Sequence, residues 1–545
     1  CALLHFLDYR EPTWKVAGAS RGRLQKDLLH KFLNYSEQSR SALQPSWLTM
    51  AVTRDVTGMV HNGYMNALKL VGLIGKLVSI LIFHILAPFV FEHPAAAEGF
   101  AVLAIFPLVL LTVLKLRNPY TTPYMHRKDD AQDTLVQHTV HAVENFRVIA
   151  DYCRRPFFVD LFAGHIKQYN LAFIACDQVL LNNKYAAIWL TILVEAAYTV
   201  WGGMSVISGS ESLGMFLANI QIIAQVGSCC SCIYSALLDL QRVLPELYSV
   251  TRLMNMQTDL MQRRALNAET REMTRKLRAE LLAAGACMGL PLDHLPIMVN
   301  NPTYKFTSKE GDGQKTFECT GKLEMQQGQM TVLVGPRGEG KSTLLKVISG
   351  VILPEPGGVF VPSHLRVFHI SSEPMFFEGS LYANLTFGVA PGDPDGDPQR
   401  VQRILRRLAL KEDVVSMATP ENDQSNFSHT LSLTQRSLLS LARALIANPE
   451  VLCLHKPTMA FDEVTAERVL RLLKEFCMLK GVYQDEGTRH LRRPRTCIIT
   501  TSAVTGVELA DLIYLVSRKD GVKLISKEEL QLSEAVHSHG VKMTV

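Results

Sequence analysis

The sequence lacks a large excess of charge of either sign. Its 56 Lys and Arg residues nearly balance its 51 Asp and Glu residues, which leaves a formal net charge of +5 over 545 residues. Nucleic-acid-binding domains usually carry a strong basic excess that matches the phosphate backbone. The balance therefore predicts no nucleic-acid partner.

The sequence also lacks the paired Cys-x-x-Cys motifs of a structural zinc site. Three of its 11 cysteines, Cys229, Cys230 and Cys232, cluster inside an apolar run. We favour the interpretation that these are small residues facing lipid or a neighbouring helix. The alternative is a metal or redox site.

An initiator methionine is absent. The first residue is Cys1, which lies within an apolar stretch too short to span a bilayer. We interpret the chain as a fragment whose natural start lies upstream, so no signal peptide can be judged. A chain of 545 residues is too long for one ordinary domain, and its hydrophobic fraction of 48% is high for a water-soluble protein. At least two domains are expected.

Long apolar runs occupy the first half of the chain. Four of them have roughly 20 residues each, the length that crosses a ~30 Å hydrocarbon core. They are residues 68–91, 98–116, 185–207 and 213–238. The short connections between them lack Lys and Arg, whereas the long segment 117–184 is basic. The positive-inside rule then predicts an integral multi-pass membrane protein with the long segments in the cytoplasm.

Two ionisable residues, Lys76 and Glu195, lie inside these runs. Ionisable side chains are costly in lipid and often line a substrate path. The alternative is that each faces the interior of the helix bundle or extends its charged end to the membrane surface. The sequence leaves both interpretations open.

The composition changes twice after the last apolar run. A membrane domain at 1–245 is followed by 246–295, which is polar and charged with a helical pattern and predicts a helical linker. From 296 to 545, short β-type runs alternate with helical stretches. The predicted fold class is therefore an α-helical polytopic membrane domain followed by an α/β domain with a largely parallel sheet.

A glycine-rich loop lies near the start of the α/β region. Residues 330–343 read MTVLVGPRGEGKST, a strand followed by a match to G-x-x-x-x-G-K-[ST] at the start of a helix. The glycines let backbone amides surround a phosphate, the lysine adds positive charge, and the serine hydroxyl is placed to ligate Mg²⁺. The predicted nucleotide-binding residues are Gly335, Pro336, Arg337, Gly338, Glu339, Gly340, Lys341, Ser342 and Thr343, with Ser342 as the metal ligand. The alternative is a relic fold that binds no nucleotide.

The order of these features resembles an ABC exporter. The spans, the linker and the phosphate loop are followed by LSLTQRSLLSLARAL (431–445), NPEVLCLHKPTMAFD (448–462) and ADLIYLV (510–516). The resemblance covers essentially the whole chain and implies a half-transporter with one ABC-type, P-loop nucleotide-binding domain in the cytoplasm. Family members have six spans in each half, which implies that the first spans lie upstream. The resemblance also implies coupling helices within 36–50 and 145–165.

In the family, two nucleotide-binding domains sandwich ATP head to tail, each phosphate loop facing the signature of the other domain. The family's signature is LSGGQ. At these positions the chain has Leu431, Ser432, Leu433, Thr434 and Gln435. Side chains in place of the two glycines would crowd the γ-phosphate of the partner's site. Asp462 keeps the position of the family's D-loop aspartate.

The family's Walker B strand ends in Asp-Glu, which hold Mg²⁺ and polarise the attacking water. His455 and Lys456 occupy those positions here. Histidine is a poor ligand for Mg²⁺, and a protonated lysine cannot act as a general base. Ser372 stands at the position of the γ-phosphate-sensing Gln, and Ser502 at that of the switch His. The resemblance therefore implies ATP binding with weakened Mg²⁺ binding and no intact catalytic residue.

An aromatic residue stacks on adenine in the family. Phe306 lies at the corresponding place, and Tyr304 is a second candidate. The alternative for Phe306 is an ordinary strand aromatic.

These features predict an ATP-binding subunit of an ABC-type membrane transporter that couples ATP binding to export of a substrate the sequence does not identify. Hydrolysis would be impaired in this chain or supplied by a partner, so its assignment as an ATPase stays open. The expected partner is a second ABC half, in a heterodimer in preference to a homodimer, or a fused half. The alternative is a non-hydrolytic, ATP-gated channel-like or regulatory membrane protein. A third hypothesis is a decayed gene product without a transport role.

Overall fold

The computed structural model describes residues 6, 9–10, 14–91, 97–209, 212–284, 291–307, 314–318, 320–355, 357–422, 427–501, 507–517 and 521–529. The chain divides into two compact units, Cys1–Thr258 and Asp259–Val545. The first is helical and the second is α/β. The division falls within the segment predicted as a linker, whose limits stay a prediction.

The first unit is built from helices. In chain order they are α1 (Val16–Leu33), α2 (Glu37–Ala42), α3 (Pro45–Met50), α4 (Val56–Gly58), α5 (Met65–Phe91), α6 (Ala97–Glu144), α7 (Phe146–Asp151), α8 (Arg155–Ile207), α9 (Leu213–Arg242) and α10 (Leu244–Met254). Two π-helical segments, Ala51–Asp55 and Met59–Tyr64, join α3, α4 and α5 into one run. Helices α2, α3 and α7 lie within the segments predicted to hold coupling helices, whose role stays a prediction.

The two longest helices extend far beyond a bilayer. Helix α6 has 48 residues and α8 has 53, so at a rise of 1.5 Å per residue each is about 70–80 Å long, against a ~30 Å hydrocarbon core. The apolar runs 98–116 and 185–207 occupy one end of each helix. The helical pattern of the basic segment between these runs is thereby confirmed.

Three helical stretches in the described part of the chain are long and apolar enough to cross a membrane. They lie within Ser46–Ile80, Arg155–Ile207 and Leu213–Met254. The run 98–116 also belongs to a helix, but most of its side chains fall outside the described residues.

Polar and apolar contacts hold the long helices together. The buried Asn183 of α8 donates a hydrogen bond of 2.8 Å to Thr121 of α6. Val226 and Cys230 of α9 form a buried cluster with side chains of α5 and α8. Cys229 is also buried, and its thiol lies 3.4 Å from the carbonyl oxygen of a residue on α5. This packing agrees with the interpretation of these two cysteines as small helix-facing residues.

Neither ionisable residue of the apolar runs is enclosed by this unit. Lys76 is exposed on α5, and Glu195 is half-buried on α8. The two interpretations of these residues stay open.

The second unit begins with helix α11 (Leu260–Ala283) and continues as alternating strands and helices. The strands are β1 (Ile297–Asn300), β2 (Thr303–Thr307), β3 (Gln314–Glu318), β4 (Lys322–Met325), β5 (Met330–Val334), β6 (Val359–Phe360), β7 (Val367–Ile370), β8 (Val451–His455), β9 (Thr496–Thr500), β10 (Leu512–Ser517) and β11 (Gly521–Leu524). The helices are α12 (Lys341–Ile348), α13 (Leu381–Leu385), α14 (Pro398–Arg407), α15 (Glu412–Met417), α16 (Phe427–Thr430), α17 (Leu433–Ala447) and α18 (Glu463–Met478).

The main sheet has six strands in the order β11–β10–β5–β9–β8–β7, and all but β11 run parallel. Strands β5 and β9 are buried along their whole length, which explains their continuous apolar sequences. Antiparallel sheets β4–β1–β6 and β2–β3 complete the unit. The predicted α/β fold with a largely parallel sheet is confirmed.

Hydrophobic clusters cover both faces of this sheet. Helices α13, α14, α17 and α18 pack on one face. Helix α12 packs on the other, together with β1 and β4. The core therefore fixes the carboxyl ends of the parallel strands and the loops that follow them.

Candidate functional site

The phosphate loop begins where β5, which lies between β10 and β9, ends. Parallel strands carry their carboxyl ends at one edge of the sheet, where ligands of open α/β folds bind. Leu333 of β5 pairs with Thr500 of β9, and Thr500 pairs with His455 of β8. Neighbouring strands lie about 4.8 Å apart. The loop and the end of β8 therefore face the same narrow space.

The loop depends on glycine at three positions. Gly335, Gly338 and Gly340 have φ values of 141°, 82° and 93°, which L side chains rarely adopt. A Cβ on Gly335 would in addition overlap the carbonyl oxygen of Val516. The chain then enters α12 at Lys341, so the helix N-terminus points its free N–H groups at the loop. The geometry fits a phosphate-binding cradle.

Lys341 is directed into this cradle. Only 6% of it is exposed, and its Nζ donates hydrogen bonds of 2.5 Å to the carbonyl oxygens of Gly335 and Pro336. Burial lowers the pKa of the Lys341 ammonium, the Lys456 ammonium lowers it further, and Glu339 opposes both. Burial and Lys456 both disfavour the positive charge of Lys341, and an anionic ligand would compensate that charge.

The end of β8 carries His455 and Lys456, as the sequence predicts. The Nδ1 of His455 lies 2.8 Å from Oγ1 of Thr500. The backbone N–H of Lys456 donates to the carbonyl oxygen and to Oγ1 of Thr500, both at 3.1 Å. Lys456 has a φ of 47°, which costs a non-glycine residue about 1–2 kcal/mol. The pairing with β9 therefore holds a cationic residue beside the phosphate loop.

Two basic residues that interact with His455, Lys346 of α12 and His369 of β7, were not identified from the sequence. Burial lowers the pKa of His455, and the ammonium groups of Lys456, Lys346 and Lys341 lower it further. His369 of β7 behaves in the same way, since burial, Lys346 and His455 lower its pKa. Lys346 and His369 stand outside the family's motifs. They come near His455 only because the fold places α12 and β7 next to β8.

Several predicted site residues take no described part in this arrangement. Ser372 follows β7 and is exposed. Ser502 lies outside the described residues, just after Thr501. Tyr304 and Phe306 lie on β2, paired with β3, but their side chains also fall outside the described part of the chain. Their predicted roles stay predictions.

The signature segment forms the start of a well-capped helix. Ser432 is the N-cap of α17: its Oγ accepts from the N–H of Gln435, and the Gln435 side chain accepts from the N–H of Ser432. This reciprocal capping box satisfies two N–H groups that would otherwise lack partners. Leu431 packs against the core, while Leu433 is 56% exposed and Thr434 is also exposed. A bulky apolar side chain therefore projects where the family has glycine.

The D-loop aspartate has a local structural role. Asp462 is the N-cap of α18 and accepts a hydrogen bond of 3.3 Å from the N–H of Thr465. The hydrogen bonds from Thr465 lower the pKa of this carboxyl group. Asp462 is therefore a stable carboxylate at an exposed helix start.

The groups at the end of β8 do not fit Mg²⁺. Mg²⁺ prefers oxygen ligands, above all carboxylates and waters. The end of β8 presents an imidazole and an ammonium group, and Oγ1 of Thr500 is already bonded to His455. Ser342 offers one neutral hydroxyl. In the part of the chain that the structure describes, no group of three or more His, Cys, Asp or Glu side chains could hold a metal ion.

Comparison with known proteins agrees with this geometry. Residues 320–459 match the family model described as ABC transporter. “ABC transporter 1” of Ajellomyces capsulatus is 22% identical over 506 residues, covering 85% of this chain and 35% of that protein. “Aliphatic sulfonates import ATP-binding protein SsuB 3” of Rhodococcus jostii (strain RHA1) is 32% identical over 204 residues, covering 37% of this chain and 66% of that protein. The chain thus spans less than two thirds of either relative.

A solved structure resembles the entire chain. “Structure of a bacterial Atm1-family ABC exporter with ATP bound” aligns with a TM-score of 0.73 at 13% sequence identity, covering 100% of this chain and 88% of that one. The likeness concerns the fold.

The phosphate loop, the strand order and the family match define the second unit as an ABC-type nucleotide-binding domain. The whole chain has the fold of an ABC exporter, a helical domain with candidate membrane spans followed by that domain. This fold agrees with the predicted integral membrane protein.

Proposed function

We propose that the chain is an ATP-binding subunit of an ABC-type transporter that couples occupancy of its phosphate loop to substrate export. A second ABC half, most simply in a heterodimer, performs most of the hydrolysis. The observation that carries this proposal is the combination of a complete phosphate loop with a cationic residue, Lys456, at the end of β8.

Nucleotide binding is supported by the loop geometry. Gly335, Gly338 and Gly340 adopt the positive φ angles that let backbone N–H groups converge on a phosphate. Lys341 lies within the loop and can exchange its two carbonyl partners for phosphate oxygens. The same groups support ATP as the ligand.

Weak hydrolysis is supported by the chemistry of β8. Attack on the γ-phosphate requires a group that orients the water and takes its proton. The ammonium group of Lys456 has three donors and no acceptor, so it stabilises phosphate charge and activates no water. Replacement of the family's glutamate by Lys456 therefore favours ATP remaining bound over ATP being hydrolysed.

The signature supports dependence on a partner. The exposed side chain of Leu433 would stand against the nucleotide bound by the partner's loop. In that composite site, the Leu433 side chain would hinder hydrolysis sterically. In the site on this chain's own phosphate loop, hydrolysis would be slow because the carboxylate at the end of β8 is missing. Turnover in the assembly would then depend chiefly on the partner's residues.

ATP binding by the full-length gene product in lipid discs tests this proposal. Lys341→Ala should weaken ATP affinity about 10- to 100-fold, because it removes a charge-assisted bond to the phosphates. Lys411→Ala changes an exposed lysine away from the loop and should leave the affinity unchanged. Equal affinities of all three proteins, or no binding, would contradict the proposal.

A non-hydrolytic, ATP-gated channel is the second candidate, because Lys456 favours occupancy over turnover in that case too. Flux assays in proteoliposomes separate the two functions. A transporter subunit requires a hydrolysing partner for repeated cycles, so a non-hydrolysable ATP analogue should arrest flux. Sustained flux with that analogue would instead support the channel.

A further inference from the structure

Five basic side chains lie on α12, on the neighbouring strands β7 and β8 and directly after β8. Lys341 and Lys346 come from α12, His455 and Lys456 from β8 and the residue after it, and His369 from β7. They share one electrostatic environment, because Lys341, Lys346 and Lys456 all lower the pKa of His455, and Lys346 also lowers that of His369. We refer to these five residues as the cation cluster; its charge lies on the three lysines, since the lowered pKa values favour the neutral imidazoles of His455 and His369.

The cation cluster has charge left over. Within the described part of the chain, the ammonium groups of Lys456 and Lys346 make no hydrogen bond and no ion pair, although both side chains are half-buried. The buried Nε2 of His369 also has no hydrogen-bond partner there. Glu339 of the loop is the carboxylate that acts on Lys341. One carboxylate does not balance three ammonium groups.

The position of Lys456 is set by the backbone. Its N–H group is bonded twice to Thr500, and the φ of 47° is held by that pairing. The register between β8 and β9 therefore fixes the backbone of Lys456 beside the loop. This preorganised backbone position lowers the cost of placing the Lys456 ammonium group against an anion.

Mg²⁺ and this cluster would compete for the same phosphate charge. An Mg²⁺ ion cancels about two of the negative charges of ATP and would be repelled by neighbouring ammonium groups. ATP without a metal ion keeps its full negative charge and meets side-chain cations in the place of the metal. The cluster therefore recognises the more anionic form of the nucleotide better.

We propose that this site binds ATP as the metal-free polyanion, with Lys456 and Lys346 taking the charge-neutralising place that Mg²⁺ holds in the family. The proposal rests on the proposed ATP binding and specifies which form of the nucleotide is bound. Occupancy would then follow the concentration of metal-free ATP and would increase when free Mg²⁺ falls.

Equilibrium binding of radiolabelled ATP to the full-length protein in lipid discs tests this proposal. Binding is measured in excess EDTA and in excess Mg²⁺, and only the part lost in Lys341→Ala is counted, which removes any contribution of a co-purified partner. The affinity for ATP should be about tenfold higher in EDTA than in Mg²⁺. An affinity in EDTA equal to that in Mg²⁺ or lower would overturn the proposal. No Lys341-dependent binding in either buffer would instead refute the proposed function.

Charge variants give a second, independent readout. Lys456→Glu reverses the charge beside the phosphate loop, so metal-free ATP should be repelled and binding should depend on Mg²⁺, with affinity in EDTA falling about tenfold or more. Lys411→Glu makes the same charge reversal at an exposed residue outside the cluster and should keep the preference of the wild type. If Lys456→Glu does not fold, Lys456→Asn removes the charge while tolerating the positive φ. It should weaken binding in EDTA more than in Mg²⁺, and an equal effect in both buffers would contradict the proposal.

Discussion

At the scale of single residues, backbone geometry determines the shape of the phosphate loop, and charged side chains determine which ligand its surroundings favour. Gly335 is the point at which β5 turns into the cradle, and its hydrogen atom faces the carbonyl oxygen of Val516. Lys341 and Lys456 then bring two ammonium groups towards one space. The turn at Gly335 favours binding of a phosphate. The two ammonium groups favour a phosphate that carries its full negative charge.

Gly335→Ala should destabilise the second unit and abolish ATP binding. The φ of 141° and the overlap of the new Cβ with Val516 force the backbone to move, at a cost of about 1–3 kcal/mol. Gly338→Ala is the matched control, because its φ is also positive but its Cβ would meet open space. Thermal unfolding followed by intrinsic fluorescence measures the difference. Equal unfolding midpoints for the two variants would contradict this account of Gly335.

The phosphate loop is visible in the sequence because its spacing is local. His369 and Lys346 are not visible, because their approach to His455 depends on β7, β8 and β9 being neighbours in the sheet. Strand order is a property of the fold, and no short segment of sequence carries it. The cation cluster could therefore be found only once the topology was known.

At the scale of elements, α17 shows how the signature segment keeps its structure while its sequence departs from the family. Ser432 and Gln435 cap each other, and the apolar face of the helix is buried in the core. The helix start is therefore formed with Leu433 and Thr434 at positions 433 and 434. The structure shows an intact helix here.

Ser432→Ala should loosen the first turn of α17. Removing the N-cap hydroxyl costs about 1 kcal/mol, because the N–H of Gln435 loses its partner. Hydrogen exchange of the amides at 433–436 should become faster, while the rest of α17 is unchanged. Ser416→Ala, at an exposed hydroxyl of α15, is the control. Unchanged exchange at 433–436 would show that the capping box does not hold this turn.

Arg400 joins α14 to two distant segments. It is 3% exposed, and its guanidinium donates to the carbonyl oxygens of Val482, Leu445 and Ile446. Arg400→Met should lower stability by about 3–5 kcal/mol, because buried carbonyl groups lose their donors. Arg407→Ala breaks the exposed ion pair between Arg407 of the same helix and Glu475 of α18 and should change stability little. Comparable shifts of the unfolding midpoint would contradict this assignment.

At the scale of the whole molecule, hydropathy and charge indicate the architecture but not its internal contacts. Apolar runs and basic segments predict a membrane domain followed by a cytoplasmic α/β domain, and the exporter-type fold agrees. The buried pair of Asn183 and Thr121 was not predicted. Each residue is unremarkable alone, and only the packing of α6 on α8 makes the pair meaningful.

The orientation of the chain can be measured with its own cysteine. Cys153 is exposed between α7 and α8, in the basic segment predicted to be cytoplasmic. A membrane-impermeant maleimide should label Cys153 only after the membrane is opened. A cysteine introduced by Ser208→Cys, in the short loop before α9, should be labelled without opening. The reverse pattern, read by mass spectrometry of the peptides, would contradict the topology.

The central claim is that this chain binds ATP through an intact phosphate loop and turns it over slowly. The most direct measurement is ATP turnover by the full-length protein, purified without a partner in lipid discs, beside the same preparation of Lys341→Ala. We predict ATP binding without turnover above the rate of that variant. Turnover that Lys341→Ala abolishes would contradict the account. It would mean that His455 and Lys456 do not prevent catalysis and would make the imidazole of His455 the candidate base.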